Sequence, residues 1–366
     1  MVRLSSILVG ILGSAIAACG VSPDAKSSTP PKDTVAAGNV ELPLSVPPVR
    51  TTPSRTATTT EPDTAHPKLI SGRKKHDSVA FASTVAFGRH QMKEWPKSPT
   101  PLPGAILPSQ RIVAFYGNPL SKRMGVLGEY PEETMLAKLD TAVREWQRAD
   151  PETPVKPALQ LIAVVAQGAP GKDGMWRARM DSAMIEKVYG WAKSRNALLF
   201  LDIQVGKSTM QRELPRLMPF LSRPDVHLAM DAEFSMHHAK EGEPPGKKVG
   251  VFDATDINWV SEQLRQLVTD KKLPPKVLVV HRWLKPMITH ADKITLDPRV
   301  QIVMDMDGWG PPWMKFESYR DYIDLEPVEF TGFKIFFHND VKRRDPLLTP
   351  AELLWLRPRP LYIQYQ

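Results

Sequence analysis

Val226-His-Leu-Ala-Met-Asp231-Ala-Glu233 and Val300-Gln-Ile-Val-Met-Asp305-Met-Asp307 are apolar runs that each end in two carboxylates separated by one residue. Alternate residues of a β-strand share a face, so each run as a strand would aim two acids the same way, with Cα atoms roughly 6.6 Å apart. Ionised groups at the end of a buried strand are costly unless something pairs or uses them. The pattern recurs: Asp202 closes Ala197-Leu-Leu-Phe-Leu-Asp202, and His281 closes Lys276-Val-Leu-Val-Val-His281. One such acid reads as a helix cap or a salt bridge, but several together read as one site at the carboxyl ends of neighbouring parallel strands.

Outward from these runs, eight strand-like segments follow one another after residue 110. They are Arg111–Tyr116, Leu159–Ala166, Ala197–Gln204, Val226–Glu233, Lys276–Trp283, Val300–Asp307, Phe330–Phe337 and Leu361–Gln366. Most are continuously apolar, the mark of parallel strands buried on both faces. Helical periodicity lies between them: Met135, Leu139, Val143 and Trp146 after Pro131; Met180, Met184, Val188 and Trp191; Leu214, Leu217, Met218 and Leu221; and Ile257, Val260, Leu264, Leu267 and Val268 with Thr255 as the cap. Alternation of this kind over roughly 255 residues predicts a (β/α)8 TIM barrel, an α/β fold. A doubly wound sheet is the alternative, but Gly117-Asn-Pro119 after the first strand is not a glycine-rich phosphate loop. No organic cofactor is expected.

The first hundred residues read differently. Arg3 precedes an apolar stretch, Ile7 to Ala18, that is short for a membrane span and reads as a signal peptide over residues 1–18. It runs into Ile16-Ala-Ala-Cys19-Gly20, which resembles the lipobox of bacterial lipoproteins, with isoleucine in place of the usual leucine. That resemblance implies cleavage before Cys19 and acylation of its thiol. Cys19 is the single cysteine, so no intramolecular disulfide can form. The expectation is an exported lipoprotein, held in a lipid bilayer of the bacterial cell envelope. Residues 19–108 are rich in Ser, Thr, Pro and Ala, as in Thr51-Thr-Pro-Ser-Arg-Thr-Ala-Thr-Thr-Thr60, and predict a disordered tether spanning on the order of 50 Å. Val79–Phe87 is its apolar exception, a segment that could dock on the head. The barrel domain is then 109–366.

A formal net charge of +8 points at first to nucleic acid, yet part of the excess, such as Arg73-Lys-Lys75, falls in the tether. There is no helix-turn-helix, zinc-knuckle or RNP pattern, and nucleic-acid binding is not expected.

In a barrel the strand ends converge, which defines the candidate site. Asp202, Asp231, Glu233, Asp305 and Asp307 are the candidate catalytic acids. Tyr116, Asn118, His281, Trp283, Trp309, Trp313, Lys334 and Gln364 are the candidate substrate contacts, the two loop tryptophans belonging to Gly308-Trp-Gly-Pro-Pro-Trp313. Acids, amides and flat rings with polar edges suit a sugar, whose apolar faces stack while its hydroxyls hydrogen-bond. Asp231-Ala-Glu233 at the fourth strand resembles the Asp-x-Glu of family 18 and family 25 glycoside hydrolases, barrel enzymes acting on chitin-like or peptidoglycan glycans. The resemblance implies Glu233 as general acid and Asp231 as its assistant, with a polysaccharide or peptidoglycan substrate. The longer acidic string of family 18 is absent, and Tyr116 and Asn118 stand where family 25 places an aspartate, so Asp305 or Asp307 would supply the second carboxylate.

Two other readings use the same residues. Asp202, Asp231, Asp305 and His281 could surround a divalent metal in a hydrolase, although close His-x-His spacing is missing and His237-His238 reads as a solvated loop. A barrel that binds glycan without cleaving it is the third, because fold does not imply catalysis.

Overall fold

The computed structural model of the protein describes residues 95–236 and 243–366. Cys19, the signal peptide, Val79–Phe87 and His237-His238 lie outside the described residues. Eight strands run parallel: β1 (Arg111–Gly117), β2 (Val155–Ala166), β3 (Leu198–Ile203), β4 (Val226–Asp231), β5 (Lys276–Arg282), β6 (Val300–Met306), β7 (Phe330–Ile335) and β8 (Tyr362–Tyr365). Each pairs with the next and β8 pairs with β1, so the sheet closes on itself. The fold is the expected (β/α)8 barrel, and closure rules out the open doubly wound sheet.

Around it lie α1 (Glu132–Ala149), α2 (Ser182–Lys193), α3 (Ala254–Lys271) and α4 (Pro312–Ser318). Their apolar stripes bury Leu139 and Trp146, Ile185 and Val188, and Ile257, Val260 and Leu264 against outward-facing strand residues such as Leu199, Leu228 and Ile302. Local chemistry moves several expected boundaries. Pro131 stands at the cap of α1, just outside its first turn. Asp253 caps α3 in place of Thr255, accepting from the Thr255 amide at 3.0 Å while Asp256 accepts from the Asp253 amide at 2.9 Å. Pro215 and Pro219 break the expected 214–221 helix into a 3-10 turn, Leu214–Leu217, and a single α-turn, Met218–Leu221. The β5 to β6 crossover has no α-helix: it carries the 3-10 turns Lys285–Met287 and Ala291–Lys293 and a short strand, Ile288–Thr289, that pairs with Phe252–Asp253.

The tether boundary at residue 108 is also corrected. Ile106 and Leu107 are buried with Ile112, Leu198, Val277 and Val303 inside the amino-terminal end of the barrel, where they form its floor. Gln301 holds them there: its Oε1 accepts from the amides of both at 3.1 Å, and its Nε2 donates to the Leu107 carbonyl at 2.5 Å. Further out, the Trp95 indole donates to the Glu329 carbonyl at 2.9 Å. The sequence 95–108 therefore belongs to the head.

Candidate active site

Strand alternation sends Ala158, Phe200, Ala229, Val279 and Tyr362 into the barrel's middle, small residues making room for the two rings. Above this apolar plug the same inward positions become polar. The lower ring is Gln160, Asp202, His281, Asp305 and Gln364, all fully enclosed, with the Tyr362 hydroxyl reaching up to it from the plug. The upper ring, at the mouth, is Tyr116, Gln204, Asp231, Asp307 and Lys334, with Glu233 and Trp283 at its edge.

His281 is the centre of the lower ring. Its Nε2 lies 3.0 Å from Asp202 Oδ2, and Gln160 Nε2 lies 2.6 Å from that same oxygen. The 2.9 Å approach of the Gln160 and His281 nitrogens follows from both donating to one acceptor. Tyr362 fixes the amide's orientation by donating its hydroxyl to Gln160 Oε1. On the other side, His281 Nδ1 faces Asp307 Oδ2 at 3.1 Å and Asp305 Oδ2 at 3.4 Å, divided between them without the angle of a hydrogen bond to either. Burial opposes a charged ring, but the charges of Asp202 and Asp307 outweigh it and hold the imidazole well above the ordinary histidine range. The chain thus keeps an imidazolium under the mouth.

Among the described residues none is hydrogen-bonded to either oxygen of Asp305, and burial raises its pKa. Gly332, its register partner on β7, makes room for it: a Cβ there would stand 2.5 Å from Asp305 Oδ1. Asp307 is the opposite case. Lys334 Nζ bridges its Oδ1 at 2.9 Å and His281 approaches its Oδ2, so despite burial its pKa falls below the usual aspartate value. Lys334 also sits 3.9 Å from the Tyr116 ring centroid, a cation–π contact that shields its stem from water.

Glu233 differs from the expectation in backbone and not in location. It lies in a 3-10 turn, Ala232–Phe234, beyond the end of β4, so the shared-face argument for Asp231 and Glu233 does not hold. Asp231 instead caps that turn, its Oδ1 accepting from the Glu233 amide at 2.9 Å and its Oδ2 from Gln204 Nε2 at 3.2 Å. The Glu233 carbonyl accepts from the Gly250 amide at 2.7 Å. Its carboxyl receives one hydrogen bond among the described residues, from Trp283 Nε1 to Oε2 at 3.1 Å. Burial, reinforced by the nearby charge of Asp231, pushes Glu233 up to about 8. Burial lifts Asp231 to about 7, partly offset by His281. Asp231 accepts two N–H bonds, which favour its ionised form, so it is the first of the two to lose its proton.

The structure gathers Glu233, Asp231, Asp307, Asp305, Asp202, His281, Trp283, Lys334 and Tyr116 into one constellation, puts Gln364 beneath it in the lower ring, and places the other expected contacts elsewhere. Asn118 is buried in the loop after β1, where its Nδ2 donates to the Ile162 carbonyl at 3.0 Å and its Oδ1 accepts from the Leu120 amide at 2.9 Å; both ends serve the backbone. Gln364 lies below the mouth, donating to the Tyr362 hydroxyl at 3.2 Å. Trp309 is half-buried with Lys342 Nζ 5.3 Å from its ring, and Trp313 stands exposed on the first turn of α4. Gln160, Tyr362 and Gly332 were not singled out from the sequence. Gln160 carried a signal, a lone amide inside an apolar strand, whereas Gly332 acquires meaning only opposite Asp305.

Among the described residues no group of three or more His, Cys, Asp or Glu side chains is disposed to hold a metal ion. The positions between the carboxylates are taken by His281 and Lys334. The metal reading therefore finds no ligand set among those residues.

No protein-family model matches the chain, and no curated protein matches it. Among solved structures it is similar to a ruminal GH26 endo-β-1,4-mannanase, at 10% identity and a TM-score of 0.32, over 73% of this chain and 63% of that one. The chain thus spans under two thirds of that enzyme, and the fold assignment rests on the barrel's own strand pairing.

Proposed function

We propose that the barrel hydrolyses glycosidic bonds in a cell-wall or other polysaccharide. One observation carries this reading: at a single mouth, a part-exposed Glu233 with one weak donor stands with Asp307, which is clamped between an ammonium and an imidazolium. The first arrangement keeps a proton at neutral pH and the second keeps a negative charge. Glycoside cleavage needs that pair. Glu233 protonates the glycosidic oxygen as the bond to the anomeric carbon breaks. The Asp307 carboxylate stabilises the positive charge that develops on the sugar, a water molecule adds its oxygen to the anomeric carbon, and the proton that water gives up restores the acid form of Glu233. Asp231 holds the turn that carries Glu233, and Trp309 and Trp313 offer rings for sugars beyond the cleavage point.

The test is incubation with peptidoglycan and with defined N-acetylhexosamine oligomers, scoring new reducing ends. Glu233→Gln should lower turnover at least about a hundredfold with glycan binding retained, because the amide cannot supply the proton. Undiminished turnover in that variant would remove Glu233 from the reaction. Wild-type binding without turnover would leave a glycan-binding barrel.

The reading extends to attachment through an acylated Cys19, supported by the sequence around it. Cys19→Ser should release the protein from the membrane fraction with its head folded, since no disulfide is lost. Unchanged partition, with no acyl mass on the wild type, would refute it.

A further inference from the structure

We infer that Trp283 is the positioning residue of the acid: its indole N–H decides which oxygen of Glu233 carries the proton, an inference that rests on the hydrolase reading. Stacking on sugar is the role its ring type first implies. The geometry points elsewhere, because the polar edge of the ring is already engaged by Glu233 Oε2.

Indole nitrogen donates and never accepts. With Trp283 donating to Oε2, that oxygen serves as the carbonyl of the protonated acid, and the proton resides on Oε1. A carboxyl lacking this contact would rotate and offer its proton from either oxygen. Trp283 is itself well fixed. Its carbonyl accepts from the Tyr322 hydroxyl, and its amide lies 3.3 Å from Met287 Sδ. The preceding residue, Arg282, is tied to the Tyr322 carbonyl at 3.0 Å, the Lys285 carbonyl at 2.6 Å and Glu326 at 2.5 Å. Gly308 lies alongside: a Cβ there would approach the Trp283 Cβ to 3.4 Å. At its other end Glu233 is pinned by Asp231 and Gly250 through its backbone. With the backbone held, the carboxyl still swings on the three torsions of its side chain, and the bond from a fixed Trp283 is what restrains it. The contact also works against burial. A donated hydrogen bond favours the carboxylate, so Trp283 restores part of the acid strength that burial and Asp231 take away.

Trp283→Phe separates the roles, because phenylalanine keeps a ring for stacking and loses the N–H. The expected result is a kcat about tenfold lower with KM unchanged, and an alkaline limb of the pH–rate profile moved to higher pH. A readout without substrate accompanies it: by NMR, the Trp283 indole N–H of the wild type should titrate together with the Glu233 carboxyl, and that titration should vanish in Glu233→Gln. This measurement needs no Trp283 variant to fold. A raised KM with kcat and pH profile intact would show that the ring stacks on substrate and would overturn the inference. So would an indole resonance indifferent to Glu233. Full turnover in Glu233→Gln would instead bring down the hydrolase reading, and the positioning role with it, even with the hydrogen bond seen by NMR.

Discussion

The two ends of the barrel interior are lined by the same eight strands and filled by opposite chemistry. At the floor, Ile106 and Leu107 enter from outside the sheet and complete an apolar layer with Ile112, Leu198, Val277 and Val303, their amides satisfied by Gln301. At the mouth, one or two inward positions further along the same strands, Asp202, Asp231, His281, Asp305 and Lys334 are enclosed instead. The floor can be judged by how much surface it hides. The mouth makes sense only as charges that compensate one another, because each alone would be costly where it stands. Stability should accordingly be concentrated at one end and reactivity at the other.

The largest effect should come from opening the compensation at the mouth. Lys334→Met leaves the Asp307 carboxylate in its buried site with His281, already shared with Asp202 and Asp305, as its remaining cationic partner. Removing one member of a buried pair costs about 3–5 kcal/mol of stability, and activity should disappear with it. Adding Asp307→Asn to Lys334→Met should restore much of the stability and none of the activity. Denaturant unfolding of both variants checks this. Equal stability of the single and double variants would show that the two charges are not coupled.

The floor should respond in stability alone. Leu107→Ala removes a wholly buried side chain and should cost about 2–5 kcal/mol, while kcat measured well below the melting temperature stays unchanged. A head beginning at residue 109 should lose more, since it lacks Ile106, Leu107 and the partners of Gln301. A change in kcat for Leu107→Ala would break the division between the two ends.

Alternating strands and helical stripes were legible because burial writes them into the sequence: continuous apolar runs for β3 and β5, spaced apolar residues for α1 and α3. The ring of acids was legible for the same reason, since a charge ending such a run is conspicuous. What could not be read was pairing across strands. Nothing near Lys334 in the sequence says that it meets Asp307, and nothing near Gly332 says that Asp305 needs its missing side chain. The floor was missed because Ile106 and Leu107 follow a Pro-rich stretch that resembles tether by composition, and the groups that hold the segment are remote in sequence, Gln301 lying 194 residues from Leu107. Asn118 misled in the opposite sense: an amide at a strand end looks available to ligand until its two backbone partners are known.

Titration sharpens the comparison with a smaller effect. If Glu233 works as an acid, kcat/KM should fall about tenfold per pH unit once the pH passes about 8, the alkaline limb belonging jointly to Glu233 and Asp231. Asp307 is depressed, so the acid limb should lie below the ordinary aspartate range. Stability follows the same two raised groups. Their folded pKa values exceed the unfolded ones, so their contribution is fully present below the unfolded values and lost once the pH has passed about 8. Glu233→Gln should flatten part of that loss. An alkaline limb unmoved by every change at Glu233 and Asp231 would assign it to another group.

The smallest effect belongs at the outer rim, where the mouth meets solvent. Trp313 follows Pro311 and Pro312 at the start of α4 and leaves 46% of its surface exposed, so little of its ring contributes to folding. If it offers that ring to a sugar beyond the cleavage point, Trp313→Ala removes a stacking contact of about 1 kcal/mol, made equally in the ground and transition states. KM should then rise about fivefold with kcat and melting temperature unchanged. Trp309→Ala is the matched contrast, since its half-buried ring carries the Lys342 cation at 5.3 Å and should lose some thermal stability as well. The dependence on substrate length decides the assignment: the Trp313→Ala defect should grow from disaccharide to longer oligomers. A defect equal at every length would place the ring at the cleavage point, and no defect at any length would leave it an exposed tryptophan without a part in binding.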